Sequence, residues 1–163
     1  WCRCNGFPAL FKLGLGWYGR ITPPSEKAPT LTLNTLGRHV SRMAYTRITS
    51  VRSPWMAGVE AGEVFAVPVS HGEGRFVADE ESLSRLIANG QVATQYCTPD
   101  GKPSGSITWN PNGSVCAIEG ITSPDGRILG KMGHSERMGQ DLYKNVPGED
   151  SLAIFRGAVD YFR

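Results

Sequence analysis

Two apolar runs, residues 117–122 and 127–132, meet at Ser123-Pro124-Asp125-Gly126. Pro124 presets φ at the first corner of a turn and Gly126 accepts the positive φ that closes it, so the stretch is predicted to fold as a β-hairpin. A hairpin this apolar has to be covered by other elements, and the rest of the chain supplies strands and helices in alternation. Residues 30–33, 42–49, 64–69 and 91–97 are rich in β-branched and aromatic residues, with Met43, Tyr45 and Arg47 alternating in the second run, and they read as strands. Residues 80–89 set Leu83, Leu86 and Ile87 at helical spacing behind an acidic first turn, and Asn89-Gly90 stops that helix. A short buried helix is expected to start near residue 6 or 7 and run to 15, carrying Phe7, Leu10, Phe11, Leu13 and Leu15, with Pro8 tolerable only in its first turn. Residues 16–29, with their Gly, Pro, Ser and Thr, read as a surface loop. A last helix over 150–161 brings Leu152, Ile154, Phe155, Val159 and the adjoining Phe162 onto the domain. Interleaved strands and helices predict an α/β fold with a mixed sheet, and 163 residues, 40% of them hydrophobic, suffice for a single core, so residues 1–163 are read as one domain.

Charge separates few function classes. Seventeen basic residues against fifteen acidic give +2 with no block of one sign, which offers no argument for nucleic acid or an anionic membrane as partner. No apolar run approaches the roughly 18 residues that span a bilayer, and no signal-peptide pattern opens the chain, so a soluble cytoplasmic protein is expected. Cys2, Cys4, Cys97 and Cys116 are too few and too scattered for a disulfide framework, and C-x-C without a second pair or a nearby His is a poor zinc signature. The thiols are read as reduced and no metal site is expected. The chain opens on Trp1 without an initiator Met, which suggests a piece of something longer.

Three segments are dense in polar groups: CNG at 4–6, SHGEGR at 70–75 and GHSER at 133–137. In the last, an extended chain would point His134 and Glu136 to one side, so that Glu136 accepts from one ring nitrogen and leaves the other as a base. A nucleophile for that pair needs a tight strand-to-helix turn, where small residues let the backbone bend and a helix N-terminus lowers the pKa of a thiol. Cys4, with Gly6 after it and a helix beginning at once, fits, although the three residues before it are too few to make a strand. Residue types alone leave this open. A lone Cys beside Gly is usually a small buried hydrophobe, and a His in a loop is usually a surface donor.

Read together, CNGFPALFKLGL, PTLTLNTLGRHVSRM, SPWMAGVEAGEVFAVPVSHGEGRFVA, NGQVATQY, NPNGS, AIEGITSPDGRILGKMGHSER and KNVPGED resemble the C-terminal glutaminase domain of the phosphoribosylformylglycinamidine synthases of purine biosynthesis. The likeness covers nearly the whole chain, and HGEGR, NPNGS and GHSER occur in the family's order and spacing. It implies a class I glutamine amidotransferase fold, a mixed sheet flanked by helices, here lacking its first strands. It also implies a thiolate that attacks the side-chain amide of glutamine, a glutamyl-thioester intermediate, and ammonia passed to a synthetase domain or subunit. That partner would use ATP and magnesium to convert formylglycinamide ribonucleotide to formylglycinamidine ribonucleotide; no cofactor is implied for the glutaminase domain itself.

Carried over by motif, Cys4 matches the nucleophile, His134 the base, Glu136 the carboxylate that orients it, and the backbone N–H of Asn5 one oxyanion donor. His71, Glu73 and Arg75 of HGEGR, with Asn110 and Asn112 of NPNGS, match a polar network near the site or a domain contact. The chain departs from the family at its start: where members read G-x-C-N-G-F-Q, Cys2 replaces the glycine and Pro8 the glutamine, and Arg3 is an unusual residue for a buried strand. The alternative is therefore a degenerate or partial amidotransferase domain, inactive by itself, that packs against or regulates a synthetase.

Overall fold

The structure is a computed structural model that describes residues 1–3, 6–23, 25–137, 142–143 and 152–163. The chain runs β1 (Cys2–Arg3), α1 (Gly6–Lys12), α2 (Leu15–Tyr18), β2 (Thr30–Leu33), β3 (Val40–Ile48), β4 (Val64–His71), β5 (Glu73–Val77), α3 (Glu80–Ala88), β6 (Val92–Tyr96), β7 (Ile118–Thr122), β8 (Leu129–Lys131) and α4 (Ala153–Phe162). Short 3₁₀ turns lie at Pro54–Met56 and Val115–Ala117. Six strands form one sheet in the order β1-β8-β7-β6-β3-β4, and β2 pairs with β5 in a second, two-stranded sheet. β1 is parallel to β8 and the other pairs are antiparallel, so the large sheet is mixed, as expected.

The hairpin forms where the turn residues demand it, with Thr122 paired to Leu129 and Gly126 at φ 74°. Apolar clusters lie on both faces of the large sheet, which is why β6, β7 and β8 read as apolar runs with little alternation, whereas β3 alternates. On one face Phe7, Phe11, Trp17, Phe76, Leu86, Val92, Ile118 and Ile121 pack together. On the other, Ile48, Met56, Phe65, Val67, Ala93 and Leu129 pack with Ile154 of α4. The neighbours Val92 and Ala93 thus serve opposite faces, as successive strand residues must.

Four local expectations change. The helix predicted for residues 6–15 stops at Lys12, because Gly14 turns left-handed (φ 78°), and a second short helix starts at Leu15 and runs into the stretch read as loop. Residues 73–77, read as part of a polar segment, form β5: its cross-strand partner β2 supplies the pairing that the local sequence does not advertise. The strand start predicted at 42 lies at Val40. The two residues before Cys4 do make a strand, since Cys2 pairs with Gly130 and Arg3 with Lys131, and an existing neighbour lets so short a segment join the sheet. Gly130 is needed there: a Cβ at this position would lie 2.1 Å from the buried Phe7 ring. The final helix is present as α4, while positions 150 and 151 of its predicted start lie outside the described residues. Among the described residues no helix is long and apolar enough to cross a membrane.

Candidate active site

The chain leaves β8 through a series of pinned backbone groups. Met132 N–H donates to the Glu119 carbonyl at 3.2 Å, and Gly133 N–H donates to the Glu119 side-chain Oε1. His134 N–H then reaches across to the opposite edge strand, where it donates to the Pro68 carbonyl at 2.9 Å. An edge strand tolerates Pro68 because its missing N–H falls where no ladder bond is owed. Arg137 N–H closes a turn onto the His134 carbonyl at 3.0 Å.

That turn brings His134 and Glu136 together. Nδ1 of His134 lies 2.8 Å from Oε1 of Glu136, with the His134 side chain 5% exposed. A carboxylate has no proton to give, so a hydrogen sits on Nδ1, and in the neutral imidazole the lone pair is on Nε2. The expected pairing is therefore made, but by a turn and not by the same-side geometry of an extended strand. Arg137 Nε, 3.7 Å from the same Glu136 oxygen, adds a weaker ionic contact on the exposed side.

Beneath this turn lies a charged cluster that the sequence reading missed. Glu119 and Lys131 are both fully buried and joined at 2.7 Å, and Thr94 Oγ1 donates to the same Glu119 oxygen. Burial pushes the Glu119 carboxyl up, but the Lys131 ammonium, Thr94 and the Gly133 N–H outweigh it and hold the group below the usual carboxylate range. Two opposite charges inside otherwise apolar runs were the available signal. Periodicity could not pair them, since Ile118 and Ile121 face one core three residues apart and the β6–β7 register shifts beside them.

Of the expected polar network, His71 ends β4 and is buried, with Nδ1 3.2 Å from Asn34 Oδ1. Asn34 spends its amide hydrogens on the carbonyls of His71 (2.7 Å) and Arg38 (3.1 Å), which leaves its oxygen to accept and fixes the His71 proton on Nδ1. Burial lowers the His71 pKa to about 4, with His39 and His134 adding to the shift and Glu119 offsetting part of it. Glu73 is exposed on β5, whereas Arg75 has a buried Nε with no hydrogen-bond partner among the described residues. Gly74 packs so tightly on Met132 that a Cβ would lie 2.2 Å from its Cε, which ties HGEGR to the segment leading to His134. Asn112 donates to the Gly74 carbonyl at 2.7 Å, and Asn110 donates to the Ser114 carbonyl at 2.9 Å. Ser114 in turn accepts from Phe76 N–H at 3.0 Å, so the two asparagines brace β5 from below.

The depressed His71 pKa has a consequence for stability. Between pH 6.5 and about 4 the unfolded chain binds a proton at His71 that the folded chain refuses, so stability falls as pH drops through that window. The loss should reach about 3 kcal/mol. Urea unfolding at pH 7.5 and 4.5 should show it in the parent, and His71→Gln should flatten the dependence even if the variant is less stable throughout. Equal slopes in the two proteins would show that His71 does not carry the effect.

Of the thiols, burial raises Cys97 to about 11, which makes it a poor nucleophile at neutral pH, while Cys116 is exposed and Cys2 half-buried. Cys4 and Asn5 lie outside the described residues. What is described is the frame on either side of them, β1 ending at Arg3 and α1 beginning at Gly6, with Pro8 in the first turn of the helix where its missing N–H costs nothing.

Comparison with known proteins finds relatives along nearly the whole chain. The phosphoribosylformylglycinamidine synthase subunit PurQ of Salinibacter ruber is 35% identical over 158 residues, 97% of this chain and 60% of that one. The subunit of the same name from Rhodopseudomonas palustris is 34% identical over 160 residues, 98% of this chain and 62% of that one. The chain thus spans about 60% of the length of these curated relatives. The solved structure of PurLQS from Thermotoga maritima superposes with a TM-score of 0.70 at 24% identity, covering 99% of this chain and 60% of that one, and so shares the fold. A family model for the CobB/CobQ-like glutamine amidotransferase domain matches residues 2–162, and the chain belongs to that family.

Proposed function

We propose that residues 1–163 are the glutaminase portion of a phosphoribosylformylglycinamidine synthase, which releases ammonia from glutamine for a synthetase domain or subunit. The observation that carries this reading is the parallel pairing of Arg3 with Lys131. Cys4 is the next residue in the chain after Arg3, and the turn bearing His134 and Glu136 begins just past Lys131. In this reading nucleophile, base and carboxylate leave two adjacent parallel strands at the same end. The names of the relatives support the choice of reaction.

The chemistry follows from the pair already described. Nε2 of His134 takes the Cys4 thiol proton, and the thiolate attacks the amide carbon of glutamine, with the Asn5 N–H as one donor to the developing oxyanion. The C–N bond breaks as His134 returns the proton to the departing nitrogen, giving ammonia and a glutamyl thioester. Water then hydrolyses the thioester to glutamate and regenerates the thiol. Glu136 holds the ring in the tautomer that makes Nε2 basic and stabilises its protonated form. The domain itself uses no cofactor; ATP and magnesium act at the synthetase, which consumes the ammonia in converting formylglycinamide ribonucleotide to formylglycinamidine ribonucleotide. Such an enzyme works in the cytoplasm.

The complete enzyme offers a direct test, since added ammonium enters at the synthetase and bypasses the glutaminase. Glu136→Gln keeps the shape of the residue and loses its charge, so glutamine-dependent synthesis should fall by roughly tenfold to a hundredfold while ammonium-dependent synthesis holds. If both activities fall together, Glu136 supports the fold and not the reaction. If the parent releases no glutamate at all, the domain has the structural or regulatory role instead.

A further inference from the structure

Glu119 lies in β7 with its side chain fully buried, and both of its oxygens are engaged. Oε2 takes Lys131 Nζ at 2.7 Å and Thr94 Oγ1, and Oε1 takes the backbone N–H of Gly133. A buried ion pair is weak evidence for stability by itself, because apolar residues of similar volume hold a sheet as well or better. An apolar pair could not, however, accept the Gly133 N–H. That N–H sits on a buried residue past the end of β8, where the ladder to β7 has stopped. Glycine is required there: a Cβ on Gly133 would lie 2.9 Å from Glu119 Oε1 and 2.7 Å from Val67 Cγ2. The next residue in the chain is His134.

We propose that Glu119 is a positioning residue: its Oε1 anchors Gly133, and through it the turn that carries His134 and Glu136, while Lys131 and Thr94 hold its other oxygen in place. The turn is then clamped from two sides, by Glu119 at Gly133 and by the Pro68 carbonyl at the His134 N–H. Losing the first clamp frees the approach of the imidazole without touching its bond to Glu136. Small displacements of a base from its near-attack position slow the chemical step more than they weaken substrate binding. The kinetic consequence rests on the glutaminase reading above; the anchoring itself does not.

Two paired substitutions in the complete enzyme separate the anchor from the ion pair. Lys131→Met with Glu119→Gln discards the charges and keeps an acceptor for Gly133. Lys131→Met with Glu119→Ala discards both. Hydrogen exchange read by mass spectrometry on residues 132–137 should match the parent in the glutamine pair and quicken in the alanine pair, with β6 and β7 equally protected in both. The alanine pair should also lose kcat for glutamine hydrolysis by roughly tenfold to a hundredfold at a nearly constant KM, and the glutamine pair should recover most of it. Equal exchange at 132–137 in the two pairs would overturn the proposal. Should the alanine pair fail to fold, the glutamine pair decides, since parental protection at 132–137 supports the anchor and its loss refutes it. Exchange that follows this pattern in an enzyme with no glutaminase activity would uphold the anchor and reject the catalytic reading.

Discussion

Replacing Cys4 with Ala should abolish glutamine-dependent synthesis by the complete enzyme, with a loss on the order of 10⁴-fold or more, while synthesis from added ammonium stays near the parental rate. In the proposed mechanism the Cys4 thiolate is the atom that bonds to the substrate, and the other thiols are poorly suited to replace it: Cys97 is buried with its pKa raised to about 11, and Cys116 stands exposed on the 3₁₀ turn before β7. Cys2 is only half-buried, but its register opposite Gly130 sets it within the sheet. His134→Ala should follow the same pattern with a somewhat smaller loss, since a thiol is partly ionised at neutral pH without help. Glutamate release and ammonium-dependent synthesis, measured side by side, check both variants.

Lys131→Met alone should strongly destabilise the sheet. It strands the fully buried Glu119 carboxylate without its cation, and removing one partner of a buried pair costs about 3–5 kcal/mol, or roughly a 10 °C fall in melting midpoint for a domain of this size. The pH dependence should reverse as well. In the parent, Glu119 titrates below its ordinary range, so its contribution is present above the unfolded carboxylate pKa of about 4.5 and is lost only at more acid pH. Without Lys131, burial, the largest influence on this carboxyl, is opposed only by Thr94 and the Gly133 N–H and should raise it above its unfolded value, so the penalty should be full at pH 8 and smaller near pH 5. Melting curves at the two pH values should show the gap between parent and variant narrowing at the lower one. A gap independent of pH would mean that Glu119 is not left as an unpaired charge.

The sequence made some of these features readable and hid others, for physical reasons. The hairpin was legible because Pro124 and Gly126 fix a turn locally, and the helix at Glu80–Ala88 because its apolar residues keep a 3.6-residue period between an acidic first turn and the Asn89-Gly90 stop. The strand at Glu73–Val77 was not, because Glu-Gly-Arg carries no strand preference and only pairing with β2 fixes its extended form. The nearness of His134 to Glu136 was anticipated from their spacing, yet the turn that achieves it depends on Pro68 and Glu119, both distant in sequence. Glu119 and Lys131 were overlooked as the minor polar members of apolar runs. Their meeting depends on the β7–β8 register and on irregular β6–β7 pairing, neither of which a period-2 reading contains. The parallel pairing of β1 with β8 was hidden as well, since two residues carry no periodicity.

In the proposed glutaminase the thiol of Cys4 bonds to the side-chain carbonyl carbon of glutamine. A chloroketone analogue of glutamine converts that transient bond into a permanent one, and trypsin, cutting after Arg3, separates Cys2 from Cys4 so that mass spectrometry can assign the adduct. The complete enzyme should lose glutamine-dependent activity in step with a single label on the peptide beginning at Cys4, with glutamine slowing the labelling and ammonium-dependent synthesis spared. Inactivation with the label on Cys2, Cys97 or Cys116, or labelling of Cys4 that leaves glutamate release intact, would rule out Cys4 as the nucleophile.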